Sequence, residues 1–376
     1  MSLLQQIGER ANLERAVKHV AKRVRMLKLE RHSADAIAGI ERRLQRDDFR
    51  LHPVNVRFLR KKSGGKRPIS SFHISDRIIL RAALQILWPI LEPKIIPTIA
   101  YCTFRKDGIH DVRGVKAAIR DFARFRSSGK PIVLRLDIKS FYDRVDRELL
   151  LNKLAANLAD ESAVPILRAI VNLRPSRLAR TVPGYETLLS HGLPQGAATS
   201  SLLACIFLED FDNRALTDKL SLVRYVDDIA IACGSIDEAK ELHGRIGSRL
   251  NEYGLELNEG KTVIAGSEVD IAFLGSRIMG DGNVRAGFAG IDRLVTRVEN
   301  TLIGTRPENL PAATRSRLVA WVMAQVNPCP EDEDLVIDRI CGVLSRYGVM
   351  TIENQEQVVN EFKNVFAELR EIRLSN

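Results

Sequence analysis

From Leu13 onward, apolar positions Leu13, Val17, Val20, Val24 and Leu27 recur every three to four residues among Arg and Lys. That is the period of helices with one packing face and one cationic face. Beyond residue 50 the pattern shortens. Val54, Val56 and Phe58 alternate, and Lys61, Lys62, Ser63, Gly64, Gly65, Lys66 and Arg67 follow. This predicts a hairpin with a Gly-Gly tip carrying basic side chains. Helices are expected over about 75–91 and 111–126. In Pro131 to Ile138, Ile132, Leu134 and Leu136 alternate with Val133, Arg135 and Asp137, the clearest strand of the chain, closed by an acid. Helical material is expected over 147–172, and another helix after the turn Leu193, Pro194, Gln195, Gly196. Residues 222–232 read apolar, Tyr225-Val226-Asp227-Asp228, apolar, a β-hairpin with two acids at its tip. Ser235 and Glu238 form a capping box for a helix whose buried stripe is Ile236, Ala239, Leu242, Ile246 and Leu250, stopped by Gly254. From about residue 290 the pattern is again helical. There the acidic run Glu331 to Asp334, after Pro330, reads as a solvated helix N-terminus.

Composition narrows the class. With 376 residues, 45% of them apolar, the chain can build two or three cored subdomains. The formal net charge is +10, and residues 1–70 hold 18 Lys/Arg against 7 Asp/Glu, so the excess is a property of the N-terminal segment. A field of that kind suits a polyanion such as nucleic acid or an acidic membrane surface, with a merely solvated helical face as the alternative. The cysteines Cys102, Cys205, Cys233, Cys329 and Cys341 are scattered, with no C-x-x-C pair. No disulfide framework and no zinc site are expected, and a reducing, cytoplasmic setting fits. The first fifteen residues carry Glu9 and Glu14 and lack the apolar core of a signal peptide. No apolar run is long enough to span a bilayer.

The chemistry is expected at the acids. A carboxylate closing a buried strand is costly, and several converging carboxylates repel unless cations lie between them. Paired divalent ions answer that problem and serve in-line phosphoryl transfer, and magnesium suits a few carboxylates completed by phosphate oxygens. A lone Asp-Asp tip reads equally as a polar turn.

The ordered strings LRLDIKSFYDRV (134–145), HGLPQGAATSSLLA (191–204), RYVDDIAIAC (224–233), GLELNEGKT (254–262) and FLGSRI (273–278) resemble the successive palm blocks of reverse transcriptases. The resemblance is to bacterial ones of the group II intron, retron and defence-associated kinds. The segments 64–93 and 101–111 resemble the fingers blocks. The fold implied is α+β, a right-hand polymerase with fingers, a ferredoxin-like palm of antiparallel sheet plus helices, and a helical thumb. The division expected is a basic helical N-terminal extension (1–50), fingers (51–130), palm (131–280, with a fingers insertion at about 147–185) and thumb (281–376).

Carried over by position, the resemblance implies Asp137 and Asp227 as ligands of two Mg2+ ions, for which Mn2+ could substitute. The Ile138 carbonyl would complete a coordination shell, with Asp228 beside them in the metal set, and Lys261 is a proton donor to pyrophosphate or an ordinary surface lysine. Tyr142 would be the gate that excludes a ribose 2′-hydroxyl. Phe141 is a second aromatic at the substrate or a core residue. Gln195 and Gly196 would cradle the incoming nucleotide, and Lys66, Arg67 and Arg77 are candidates for its triphosphate. Phe273, Leu274 and Gly275 resemble the primer grip, with packing as the alternative for Phe273. Lys61 and Lys62 on the tip, with Arg23, Arg25 and Lys28 on the N-terminal helices, would bind nucleic acid.

Departures are informative. Ser201 stands where the family usually has Pro, the retron Asn-Ala-x-x-His and Val-Thr-Gly strings are missing, and the residues after 278 suffice for a thumb only. The resemblance, with these departures, implies an RNA-directed DNA polymerase serving antiphage defence, with dNTPs as substrates and DNA as product. The implied template is an RNA, a dedicated non-coding one being a candidate, and a second copy or another polymerase or effector protein is a candidate partner. Template-independent synthesis by the same site, and a maturase-like RNA-binding factor, are the alternatives.

Overall fold

The computed structural model describes residues 1–24, 33–46, 48–60, 66–95, 99–101, 114–182, 191–302, 317–322, 325, 329–346, 348 and 355–374. The chain opens with α1 (Leu3–Gly8), α2 (Arg10–Val24) and α3 (Ser33–Leu44). Ser2 caps α1, its Oγ accepting from the Gln5 amide at 3.2 Å. Leu13, Val17 and Val20 are buried as their spacing predicts, in one core with α4 (Ile74–Leu91). The fully buried Asn12 fixes this packing. Its Nδ2 donates to the Ile7 and Ala82 carbonyls, and the Gln85 side chain donates to its Oδ1 at 2.6 Å. A buried amide with every valence answered specifies one docking. The N-terminal helices thus pack into the core that runs from Leu3 to Leu257.

β1 (Asn55–Arg60) and β2 (Lys66–Ser71) form the expected antiparallel hairpin, with Asn55 opposite Ser71 and Arg60 opposite Lys66. The base of β1 is stitched to residues 174–176 by Val54 N to Arg174 O and Ser176 N to Val54 O, both 2.9 Å.

The central sheet is antiparallel, in the order β4 (Leu222–Tyr225), β5 (Asp228–Cys233), β3 (Ile132–Asp137), β6 (Val263–Ala265). Alternation along the strands builds two cores. Leu134, Leu136, Ile229 and Ile231 join the main core, with Leu203 of α9 (Ser200–Phe207) and Ile246 of α11 (Ile236–Asn251). Val133, Val223, Ala230 and Ala232 pack with Phe122 of α5 (Val115–Ser127). The small side chains on that face let α5 lie close to β4 and β5. A second sheet of β7 (Ile271–Phe273), β8 (Ser276–Ile278) and β9 (Val284–Ala286) continues from it. Three helices, α12 (Phe288–Leu302), α13 (Pro330–Arg346) and α14 (Gln355–Leu374), hold a separate core around Ile291, Val298, Val336, Ile340 and Phe366.

Several expectations are corrected. The helical stretch 147–172 is split into α7 (Arg147–Asn157) and α8 (Val164–Val171), after the short α6 (Phe141–Arg144). The Asp160 carboxylate caps the break, accepting from Ser162 N at 2.8 Å and Leu3 N at 2.6 Å, and Pro165 starts the next helix. Ile236 is exposed although the stripe placed it inside. The acidic start of α13 is solvated only at Glu331 and Asp334. Asp332 accepts from Ala286 N at 2.6 Å and Glu333 faces Arg370, so both are buried where α13 meets β9 and α14. Cys205 is disulfide-bonded, against the expectation of no disulfide, and Cys233, Cys329 and Cys341 are free. Among the described residues, no helix is long and apolar enough to cross a membrane.

Candidate active site

Two strand ends bring the acids together. Asp137, the last residue of β3, stands directly opposite Asp228, the first residue of β5, and Asp228 in turn pairs with Tyr225 of β4. Directly opposed residues share a sheet face. The turn is thus Val226-Asp227, and Asp228 lies in the strand rather than at the tip expected for it. Val226 holds φ +60, a conformation that costs a β-branched residue heavily. The Asp227 carbonyl accepts from Ile138 N at 3.3 Å, which ties the turn to the end of β3, while the Ile138 side chain is buried in the core.

Each carboxylate on the ladder has basic company. Lys261 Nζ lies 3.1 and 3.0 Å from the two oxygens of Asp137, and Asn258 Nδ2 donates to Oδ2 at 3.1 Å. Arg135 reaches Asp228 with Nε at 3.1 Å and Nη2 at 3.0 Å, a forked pair. Burial pushes the Asp228 carboxyl above its ordinary range, Arg135 opposes this, and the nearby Asp137 charge adds to it. Arg135 and Asn258 were not singled out in the sequence. The signal for Arg135 was its place two residues before Asp137, hence on the same face of the strand.

Of the three acids expected to converge, Asp137 and Asp228 face each other across the ladder and Asp227 adjoins them in the turn. Among the described residues, no three His, Cys, Asp or Glu side chains stand together so as to hold an ion by themselves. The residues that would hold a divalent ion are hard oxygen donors, Asp137 and Asp227 with Asp228 alongside. Such a donor set would suit a hard cation of the magnesium kind, which takes one or two carboxylates and completes its shell with phosphate oxygens and water.

The aromatic candidates separate. Phe141 is 1% exposed and packs on Phe207, so it is a core residue and not a substrate contact. Tyr142 is half-buried beside it. Phe273 is fully buried against Phe122, which removes it from the nucleic-acid contacts. Leu274 and Gly275 form the two-residue turn between β7 and β8, with φ 49 and 91, the primed geometry that suits hairpin twist.

Gln195 and Gly196 join the palm to β2. Ser70 N donates to Gln195 O at 2.7 Å, and a Cβ on Gly196, whose φ is 115, would lie 2.7 Å from Ser70 O. The Gln195 side chain lies 3.5 Å from Asp143, and Val56, Pro68, Ser70, Asp143, Leu193 and Gln195 line a small cleft there. Arg77 is exposed on the first turn of α4. The backbones of Lys66 and Arg67 are in β2 and that of Arg23 in α2, but their side chains lie outside the described residues, as do Lys61, Lys62, Arg25 and Lys28 entirely.

Residues 59–278 match the family described as Reverse transcriptase (RNA-dependent DNA polymerase). The chain is 24% identical over 317 residues to an uncharacterized 91 kDa protein in the cob intron of Schizosaccharomyces pombe, covering 68% of this chain and 38% of that one. It is 27% identical over 180 residues to Protein YkfC of Escherichia coli, covering 46% of this chain and 45% of the relative. The chain therefore spans less than half the length of these curated relatives. Among solved structures, apo telomerase from Candida tropicalis aligns at TM-score 0.47 and 13% identity, covering 86% of this chain and 67% of that one. A Cas6-RT-Cas1–Cas2 complex aligns at TM-score 0.39 and 20% identity, covering 67% and 26%. The palm motifs in order, the acids they place at the meeting ends of β3 and β5, and the family match over more than half of the residues lead to one conclusion: this chain belongs to the reverse transcriptase family.

Proposed function

We propose that the protein is an RNA-directed DNA polymerase that adds deoxynucleotides to a primer 3′-hydroxyl. The observation that carries this is the register that sets Asp137 opposite Asp228 with Asp227 in the adjoining turn, in a chain of this family. Asp137 and Asp227 would hold the divalent ions, and Asp228 would stay in its fork with Arg135. Bound there, magnesium would acidify the primer hydroxyl and neutralise the leaving pyrophosphate. Lys261, alongside Asp137, would hold a proton near that leaving group. Tyr142 would lie under the sugar and exclude a 2′-hydroxyl. Gln195 and Gly196, braced on β2, would set the floor for the incoming nucleotide, and Lys66, Arg67 and Arg77 of the hairpin and α4 would meet its triphosphate.

Primer extension on an RNA template with dNTPs and Mg2+ tests the proposal. Asp227→Asn should abolish incorporation while RNA binding survives. Absence of extension by the wild type, or extension by Asp227→Asn, would overturn it. For the setting, we propose cytoplasmic antiphage defence with a non-coding RNA as template, supported by the missing retron Asn-Ala-x-x-His and Val-Thr-Gly strings. Sequencing DNA that copurifies from cells checks this, since homopolymeric product unrelated to any RNA would replace it with untemplated synthesis.

A further inference from the structure

Two residues before the Val226-Asp227 turn, β4 carries an arginine that faces inward. Arg224 is 0% exposed, and so nearly is Asp212 of α10 (Glu209–Thr217), at 1%. Arg224 Nε donates to Asp212 Oδ1 at 2.7 Å, and Nη2 donates to Oδ2. The remaining arm does something else: Nη1 donates to the carbonyl of Val226 at 2.9 Å. The backbone of Arg224 is held as well, by Arg224 N to Ile99 O at 2.7 Å and Tyr101 N to Arg224 O at 2.9 Å. A rigid guanidinium, fixed from behind, therefore grips the peptide of Val226, which sits at φ +60.

A β-branched residue does not keep that conformation unaided, and strain of this kind persists where surrounding bonds over-determine it. Peptide rotation at Val226 would swing its carbonyl off Nη1 and leave both groups buried and unpaired. It would also turn Asp227, the next residue, away from the end of β3. We infer that Arg224, anchored by Asp212, is the positioning residue that locks the strained Val226-Asp227 turn and so aims the Asp227 carboxylate. The pair touches neither substrate nor reacting atoms. Its geometry is legible apart from any reaction, but its consequence for catalysis rests on the polymerase proposal above.

A buried ion pair could instead serve only to hold α10 to the sheet. The two roles separate in the double variant Arg224→Met with Asp212→Leu, because apolar groups of similar volume commonly replace a buried pair without loss of stability. If the arginine positions the turn, this variant keeps a cooperative unfolding transition within a few degrees of the wild-type midpoint, and wild-type primer–template affinity. Its kcat falls roughly ten- to a hundredfold, the kinetic equivalent of one buried acceptor left unpaired. Amide hydrogen exchange rises locally at residues 225–228. Adding Val226→Gly, which takes positive φ freely, should recover about tenfold in kcat, since the turn no longer needs the grip.

Wild-type kcat and exchange in the double variant would overturn the inference. So would a loss that Val226→Gly does not relieve, accompanied by raised exchange throughout the sheet. Should the double variant not fold, Arg224→Lys provides the same decision. It keeps a charge against Asp212 but cannot span both partners, so it should show the same fall in kcat, and wild-type kcat would overturn the inference. Exchange needs no turnover, so failure of the polymerase proposal, read from the wild type in primer extension, is distinguishable from failure of this one.

Discussion

Replacing Gly192 by alanine puts a methyl group into occupied space. Gly192 holds φ +66, and a Cβ built on it would lie 2.0 Å from the carbonyl oxygen of Tyr142 and 2.7 Å from backbone atoms of Asp143. These are main-chain atoms and cannot swing aside like the end of a side chain. Ordinary contact requires about 1.4 Å of retreat. That retreat breaks the bond from Leu193 N to Tyr142 O, now 2.6 Å, and disturbs the bond from Arg147 Nε to Gly192 O at 2.8 Å. The left-handed backbone costs an alanine about 1 kcal/mol, and the lost buried bond costs about 1–3 kcal/mol. Together they give a destabilisation of roughly 3 kcal/mol, or about 4 °C in unfolding midpoint for a chain of this size. Because the displaced carbonyl belongs to Tyr142, the ring should shift with it, and discrimination between deoxy- and ribonucleotides in primer extension should fall several-fold. Thermal unfolding and paired kcat/KM measurements read the two effects. An alanine variant with wild-type midpoint and wild-type sugar discrimination would refute the reasoning.

Tyr142→Ala should raise ribonucleotide incorporation with little loss of stability. Phe141→Ala should cost about 3–5 kcal/mol in denaturant unfolding, as expected for a buried ring, and the opposite assignment of effects would exchange their roles. Arg126, 2% exposed, donates to the carbonyls of Ile278, Gly266, Ser267 and Val269. Arg126→Met should therefore destabilise the joint between α5, the β6–β7 connection and β8 by about 3 kcal/mol or more, with near-neutral behaviour in urea titration as the contrary result. Hydrogen bonds from Ser162 and Leu3 hold the Asp160 carboxyl below its ordinary value of 3.8. A lowered folded pKa means that ionised Asp160 stabilises the fold above that value and loses the effect as pH falls through the lowered one. The midpoint difference between wild type and Asp160→Asn should be full at pH 5–7 and shrink towards pH 2, and a difference that grows on acidification would count against the assignment.

Local pattern carried a large share of the architecture. The alternation of Ile132 to Asp137 placed β3 to within a residue, and the apolar runs around 225–228 placed the β4–β5 hairpin. Helical stripes located α2, α4, α5 and α11. The short strands β6 to β9 were not legible, because three residues carry too little period to register. The break between α7 and α8 was missed because its cause, an Asp160 cap shared with Leu3, spans 157 positions of sequence. Within the acidic start of α13, Glu331 and Asp334 are solvated as expected, but Asp332 is not, for the same reason: it answers Ala286 of β9.

At the site, the sequence alone determined which residue types would meet. Strand periodicity and turn chemistry are local, and they delivered Asp137, Asp227 and Asp228 to the ends of paired strands. Only the tertiary structure decided what each then does. Asp228 forks with Arg135 across 93 positions and Asp137 meets Lys261 across 124, while Phe141 and Phe273 are drawn into the cores and Tyr142 is left half-open. Packing and ion pairing depend on register and on helix docking, and those are settled jointly by segments far apart in the chain. No window of sequence contains them.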